Sequence, residues 1–245
     1  MVIGEAGGET AAVMLGVAGA TALAAALSLL PLRSLLAAAR SVAQPARRLA
    51  TRSNAAAATA LTTLVALTSV DLLVAKLAFD SHTAGAYAAA SVGARVLLLV
   101  PIGVTTVLFP RVATLRDEPS ERRHLLAGLA AVALASAPLT AILWIFSGRL
   151  LDLTFGSDYA AAEPWLGPLS LAMALYALAY VYLFHFLSLG RGHFALVLLA
   201  LGALQLVLFA VLHGEPAELI GVQIGMGAAT LAASELWYLL RHARR

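Results

Sequence analysis

The feature that most constrains this chain is a series of apolar blocks, each about 20 residues long, separated by short polar breaks. A helix needs about 20 apolar residues to cross roughly 30 Å of hydrocarbon. Soluble helices of that length keep a polar face, which these blocks lack. With 61% hydrophobic and 12% charged residues, the chain is predicted to be all-α, a polytopic transmembrane helix bundle.

Block length predicts about seven crossings and divides the chain into three parts. Residues 1–32 form the first crossing, 33–54 a basic amphipathic cytoplasmic linker, and 55–245 a six-helix lobe. The first apolar block follows Glu5 and Glu9, whereas a secretory signal would begin with a basic leader, so a cleaved signal peptide is disfavoured. Within the lobe, crossings are predicted at residues 55–79, 85–110, 124–146, 165–189, 194–212 and 219–240.

The arginine distribution predicts the orientation, because loops rich in arginine and lysine stay in the cytoplasm. If the N-terminus is outside, most of the 16 basic residues fall on the inner side, and Arg149 is the exception among the loop arginines. The C-terminus is then cytoplasmic. Trp237 and Tyr238 fit an aromatic belt at the inner interface.

Three ionisable side chains, Asp71, Lys76 and Arg95, lie inside segments otherwise suited to lipid. A charge at bilayer depth costs about 2.5–3.5 kcal/mol even on lenient insertion scales, so each needs a partner, a watery cavity or a route to the interface. Counting inward from the outer turn at 1.5 Å per residue, Asp71 and Arg95 reach the same depth, about 13–16 Å, on adjacent antiparallel helices. We therefore predict that they meet. Asp71 and Lys76 are about 140° apart around their helix, so they do not form a simple pair.

Tyr87, Ser91 and Arg95 share one stripe of the next helix at spacing four. One interpretation of the Asp71–Arg95 pair is structural: it holds the second and third crossings in register. The other makes these residues, with Lys76, Tyr87 and Ser91, candidate substrate, cavity or gating residues, because Arg95 and Lys76 attract phosphate or pyrophosphate. For Lys76 the simpler alternative is snorkelling to the outer interface.

Two further ionisable residues lie near the inner ends of their crossings. Glu235 is expected to pair with an arginine of the tail. His185, among Tyr180 and Tyr182, is expected to be an interfacial or packing histidine rather than a proton relay.

Enzyme signatures are missing from the sequence. It has no glycine-rich phosphate loop before a helix, no HExxH and no GxSxG, and loops of about 15–20 residues are too short for a catalytic domain. The zero cysteine count excludes disulfides and thiolate metal sites. No catalytic residue, cofactor or metal is expected. Topology explains the basic residues, so no nucleic-acid partner is expected either.

Five segments of the sequence carry a family resemblance. They are DLLVAK at Asp71–Lys76, AGAYAAASVGARVLLLVP at Ala84–Pro101, VLFPRVA ending at Ala113, LTFGSDYAAAEPWLGPLSLA at Leu153–Ala172 and LSLGRGHFAL at Leu187–Leu196. The first three resemble the start, and the last two later stretches, of the C-terminal lobe of polysaccharide-transporter-type flippases. These flippases move lipid-linked oligosaccharides and belong to the multidrug/oligosaccharidyl-lipid/polysaccharide exporter superfamily.

The resemblance covers about Asn54 to Arg245 and implies two six-helix lobes around a cavity with alternating access, in a bacterial cytoplasmic membrane. The first crossing would be the last helix of a first lobe that is otherwise missing. The chain would then be a fragment, or a half-transporter that works with a partner or as a homodimer. The resemblance implies two ligands, membrane lipids and a lipid-linked glycan. The alternative function is a non-transporting membrane scaffold or assembly subunit of a polysaccharide export system.

Overall fold

The computed structural model describes residues 44–112, 118–190 and 193–242, with side chains for residues 56–106, 120–190 and 193–240. The chain divides into two compact units, residues 1–52 and residues 53–245. The predicted first crossing and the first half of the predicted linker lie outside the described residues. The fold and site below therefore belong to the second unit.

Every regular element in the described ranges is helical. In chain order they are α1 (Gln44–Ala78), α2 (Ser81–Ala94), a first 3-10 segment (Arg95–Leu98), α3 (Leu99–Val112), α4 (Glu118–Ile145), α5 (Ser147–Phe155), a second 3-10 segment (Ser157–Ala162), α6 (Glu163–Ser188), α7 (Phe194–Val211) and α8 (Pro216–His242).

Six stretches of the described chain are long and apolar enough to cross a membrane, which confirms the predicted fold class and the six crossings of the lobe. The spans are Ala56–Ala78, Ser81–Thr106, Ser120–Ile145, Ser157–Ser188, Phe194–Val211 and Pro216–Leu240. Their ends differ from the predicted ends by up to about eight residues, because caps and interfacial turns extend some helices beyond their apolar cores.

Asp80 begins α2 earlier than predicted. It has extended backbone geometry, and its carboxylate accepts hydrogen bonds from the backbone N–H groups of His82, at 2.9 Å, and Thr83, at 3.2 Å. Such N-caps satisfy donors that a helix start leaves unpaired. Hydrogen bonds from the side chain and backbone of Thr83, followed by the bond from His82, lower the pKa of Asp80. The tight turn between α1 and α2 is therefore fixed by one exposed side chain.

Helix α6 is the centre of the lobe. It contacts α2, α3, α4 and α8, and two-thirds of its span is buried, against about a quarter for α4 and α7. Its buried side chains include Met173, Tyr176 and Phe186. A Cβ built on Gly227 of α8 would lie 3.2 Å from the carbonyl oxygen of Ala172, so this glycine lets α8 approach the α6 backbone closely.

The second span is interrupted where one continuous helix was predicted. The 3-10 segment Arg95–Leu98 separates α2 from α3. Pro101 follows four residues after Leu97 and has no N–H to donate to its carbonyl, which disfavours regular α-helical bonding at this point. Arg95 is the first residue of the interruption.

Candidate functional site

The candidate site is built around Asp71, whose side chain is completely buried in the last third of α1. One carboxylate oxygen, Oδ2, accepts hydrogen bonds from the hydroxyls of Ser91 at 2.8 Å and Tyr87 at 3.2 Å. The other, Oδ1, lies 2.9 Å from Nη2 of Arg95. A buried carboxylate needs such partners, because an unpaired charge in a low-dielectric interior is costly.

Arg95 is held at a second point and remains partly open. Its Nε donates to the backbone carbonyl of Thr68 at 3.0 Å, and 20% of its side chain is exposed. A guanidinium has five N–H donors. Two are engaged by Thr68 and Asp71, and the other three have no hydrogen-bond partner among the described residues. Arg95 can therefore hold an anion without first releasing Asp71.

The structure brings together four of the five predicted site residues. The predicted approach of Asp71 and Arg95 is confirmed, and Tyr87, Ser91 and Arg95 face Asp71 from one stripe of the second span. Lys76 does not join them; it is exposed, as its angular position relative to Asp71 predicts. Their role as substrate, cavity or gating residues stays a prediction.

Sequence reasoning missed a second polar contact on α1. The amide Nε2 of Gln205 in α7 donates to the carbonyl of Leu67 at 2.9 Å, and it lies 3.4 Å from Oε1 of Gln223 in α8. Both glutamines are buried. The sequence contains a signal for this contact, because Gln205 and Gln223 are each an isolated amide within an apolar block. The turn Leu67–Asp71 is therefore bound from α2 on one side and from α7 on the other.

The same reasoning missed polar contacts at the predicted inner end of the lobe. Nε2 of His185 lies 3.2 Å from Oε1 of the buried Glu121, which links α6 to α4. The ring of His185 packs edge-on against Tyr238, as expected of a packing histidine. The predicted crossing at residues 124–146 leaves Glu121 in a loop, whereas α4 begins at Glu118 and places Glu121 in the first helical turns.

Glu235 accepts a hydrogen bond from the hydroxyl of Tyr182, which links α8 to α6. The side chains of the tail arginines, its expected partners, lie outside those described. No group of three His, Cys, Asp or Glu side chains in the described part of the chain is arranged to hold a metal ion.

The fold and site define a multi-pass helical membrane protein with a buried ion pair between its first two described spans. Residues 13–164, more than half of the chain, match a family model described as polysaccharide biosynthesis protein. The chain belongs to this polysaccharide biosynthesis protein family. The match supports the resemblance to the polysaccharide-transporter superfamily, and it begins earlier than the resemblance at Asn54. No curated protein and no solved structure matches the chain significantly.

Proposed function

We propose that this chain is a flippase, or part of one, that moves lipid-linked oligosaccharide or polysaccharide precursors across the bacterial cytoplasmic membrane for cell-envelope polysaccharide biosynthesis. The observation that carries the proposal is the pair of Asp71 with the partly exposed Arg95, inside two membrane spans of a polysaccharide biosynthesis protein. Ionisable side chains at such depth mark substrate pathways in membrane proteins. In this proposal the chain moves a substrate and is not an enzyme.

The substrate group that Arg95 fits is a phosphate or pyrophosphate linking lipid to glycan. Arginine binds such groups with paired, charge-assisted hydrogen bonds, and three N–H donors of Arg95 are available for them. The anion would bind these donors while Asp71 keeps Nη2, so the pair need not open. Ser91 and Tyr87 donate to the other oxygen of Asp71, so the carboxylate stays compensated while Arg95 also holds the anion.

Lys76 would provide the next positive charge toward the outer side. It is exposed and lies five residues from Asp71 along α1, about 7.5 Å at 1.5 Å per residue. An anionic group leaving Arg95 would thus meet a second cation on its outward path. This outward path assumes the proposed orientation of the chain, with the N-terminus outside and the C-terminus in the cytoplasm.

A transport cavity needs a second wall, because the described helices form a single lobe around α6. That wall would come from a preceding lobe, a partner half-transporter or a second copy of the chain. Membrane lipids and the lipid-linked glycan complete the proposed set of ligands.

One observation favours the alternative function, a non-transporting scaffold or assembly subunit. Asp71 is fully buried and accepts three hydrogen bonds, which is also what a static lock between two helices requires. A scaffold would use the pair to fix the helices in register.

A translocation assay separates the two functions. Inside-out vesicles from cells expressing the chain are supplied with a fluorescent lipid-linked oligosaccharide, and its transfer to the opposite leaflet is measured. We expect Arg95→Ala to abolish transfer, and Arg149→Ala, at an exposed arginine of α5, to preserve it. Unchanged transfer in Arg95→Ala would exclude the role of Arg95. Absence of transfer with the wild-type chain would favour the scaffold.

The proposed orientation is tested separately, because the chain has no native cysteine to interfere with labelling. Glu215→Cys, before α8, should react with an impermeant maleimide in intact cells. Arg122→Cys, in the first turns of α4, should react only after permeabilisation. The opposite result would invert the proposed path.

A further inference from the structure

A cavity of about 360 Å³ lies where α4 ends and α6 begins, on the side of the lobe predicted to face away from the cytoplasm. It contributes no residue to the Asp71 site. Small-molecule sites range from about 300 to 1,000 Å³, so this cavity suits a small group. Its lining residues are Trp144, Ser147, Ala160, Glu163, Pro164, Gly167 and Pro168.

The indole of Trp144 packs against the α6 backbone at Gly167. A Cβ at Gly167 would lie 2.7 Å from Cγ and Cδ2 of the ring, so any side chain there would displace the indole. The residue still has 49% of its surface exposed. An aromatic surface is thus held in place on one side and left accessible on the other.

Glu163 is exposed, and the flexible end of its side chain lies against a second glycine, Gly148. A Cβ at Gly148 would lie 2.9 Å from its carboxylate, so this glycine makes room for the charged group. Within the described chain this carboxylate has no hydrogen-bond or ion-pair partner. The cavity therefore combines an accessible indole with a carboxylate, in the first turn of α6, that no described side chain pairs.

The surrounding charge is negative as well. On this side, the ends of the spans and the segments between them carry six carboxylates against two cations, Arg149 and the exposed Lys76: Asp80, Asp152, Asp158, Glu163, Glu215 and Glu218. A surface of one sign concentrates ions of the opposite sign. The ligand that this field and this cavity select is a cation.

We propose that this cavity binds an ammonium group, supplied either by an amino sugar or by a lipid headgroup. An ammonium over an indole face gains cation–π attraction, and its N–H groups donate charge-assisted hydrogen bonds to a carboxylate. Trp144 and Glu163 supply these two interactions, and the Ser147 hydroxyl lines the same cavity as a further acceptor. The site does not depend on flippase activity.

The test uses the full chain labelled with 5-fluorotryptophan, in nanodiscs of phosphatidylglycerol. The three tryptophans give three ¹⁹F resonances, and Trp144→Phe identifies one of them. The probes are glucosamine, phosphorylethanolamine and, as the uncharged match for glucosamine, glucose. Saturable movement of the Trp144 resonance with either ammonium probe, and none with glucose, supports the proposal.

Glu163→Gln should weaken binding about tenfold, the lower end for a hydrogen bond to a charged group. Glu215→Gln is the matched control: it removes the same charge from this side of the lobe but does not line the cavity, so it should weaken binding much less than Glu163→Gln. Should Glu163→Gln not fold, Gly148→Ala displaces the same carboxylate and should weaken binding too.

The two sources are distinguished by the lipid. If the natural ligand is a headgroup, nanodiscs of phosphatidylethanolamine should shift the Trp144 resonance without any added probe and should block the binding of glucosamine. If it is an amino sugar, glucosamine should bind equally in both lipids. An equal response to glucose, no response to either ammonium probe, or unchanged binding in Glu163→Gln would overturn the proposal.

Discussion

Asp71→Ala should be strongly destabilising, because it leaves three donors, on Arg95, Ser91 and Tyr87, without their acceptor. Hydrogen bonds inside membrane proteins average about 0.6 kcal/mol each, so three of them set a lower bound of about 2 kcal/mol. Removing one member of a buried ion pair costs about 3–5 kcal/mol in soluble proteins. Arg95 keeps 20% exposure and can find other polar partners, which lowers that figure. We expect the free energy of unfolding to fall by about 2–4 kcal/mol.

A double-mutant cycle measures how much of that loss belongs to the pair. The free energy of unfolding is determined in mixed detergent micelles for the wild type, Asp71→Ala, Arg95→Ala and the double variant. We expect the double variant to lose about 1–2 kcal/mol less than the sum of the single variants, because the second removal relieves an unpaired charge.

The matched control is the cycle of Asp71→Ala with Lys76→Ala, since Lys76 is a charge on the same helix that does not contact Asp71. That cycle should be additive within about 0.5 kcal/mol. Additivity of the Asp71 and Arg95 substitutions within the same margin would refute the reasoning from their contact.

Two further predictions concern the ends and the packing of the helices. The pKa of Asp80 is lowered by its bonds from Thr83, so its stabilising effect is present above its unfolded-state pKa, near 3.8, and is lost as pH falls through the lower folded-state value. The difference in unfolding temperature between wild type and Asp80→Ala should therefore be larger at pH 7 than at pH 3, and an equal difference at both would contradict the cap. Gly227→Val should lower the free energy of unfolding by about 1–3 kcal/mol through overpacking against α6, whereas Gly225→Val, which meets nothing within 4 Å, should have little effect; equal losses in thermal or detergent unfolding would contradict the close approach.

The contacts of Arg95 explain how one pair can serve both interpretations given to it. Asp71 and Thr68 fix its position, which is the register function, and three N–H groups stay available, which is what anion binding needs. The stability cycle and the translocation assay measure these roles independently. A variant such as Arg95→Lys keeps the charge but loses the paired geometry, and should affect transfer more than stability.

The sequence by itself determined the class of protein, the six described crossings and the meeting of Asp71 with Arg95. These follow from local rules: a helix rises 1.5 Å and turns 100° per residue, so depth and direction within a hairpin can be counted along the chain. The shared stripe of Tyr87, Ser91 and Arg95 could be predicted from their spacing of four for the same reason.

Only the tertiary structure decided which helix lies at the centre and what crosses between distant segments. Gln205 binds a carbonyl 138 residues away and His185 meets a carboxylate 64 residues away. The cavity lined by Trp144 and Glu163 lies between the end of α4 and the start of α6. Each of these crossings is apolar enough to pack beside any other. Their order around α6 is therefore set by how individual side chains fit together, such as Trp144 on Gly167. Helical periodicity in the sequence does not predict that fit.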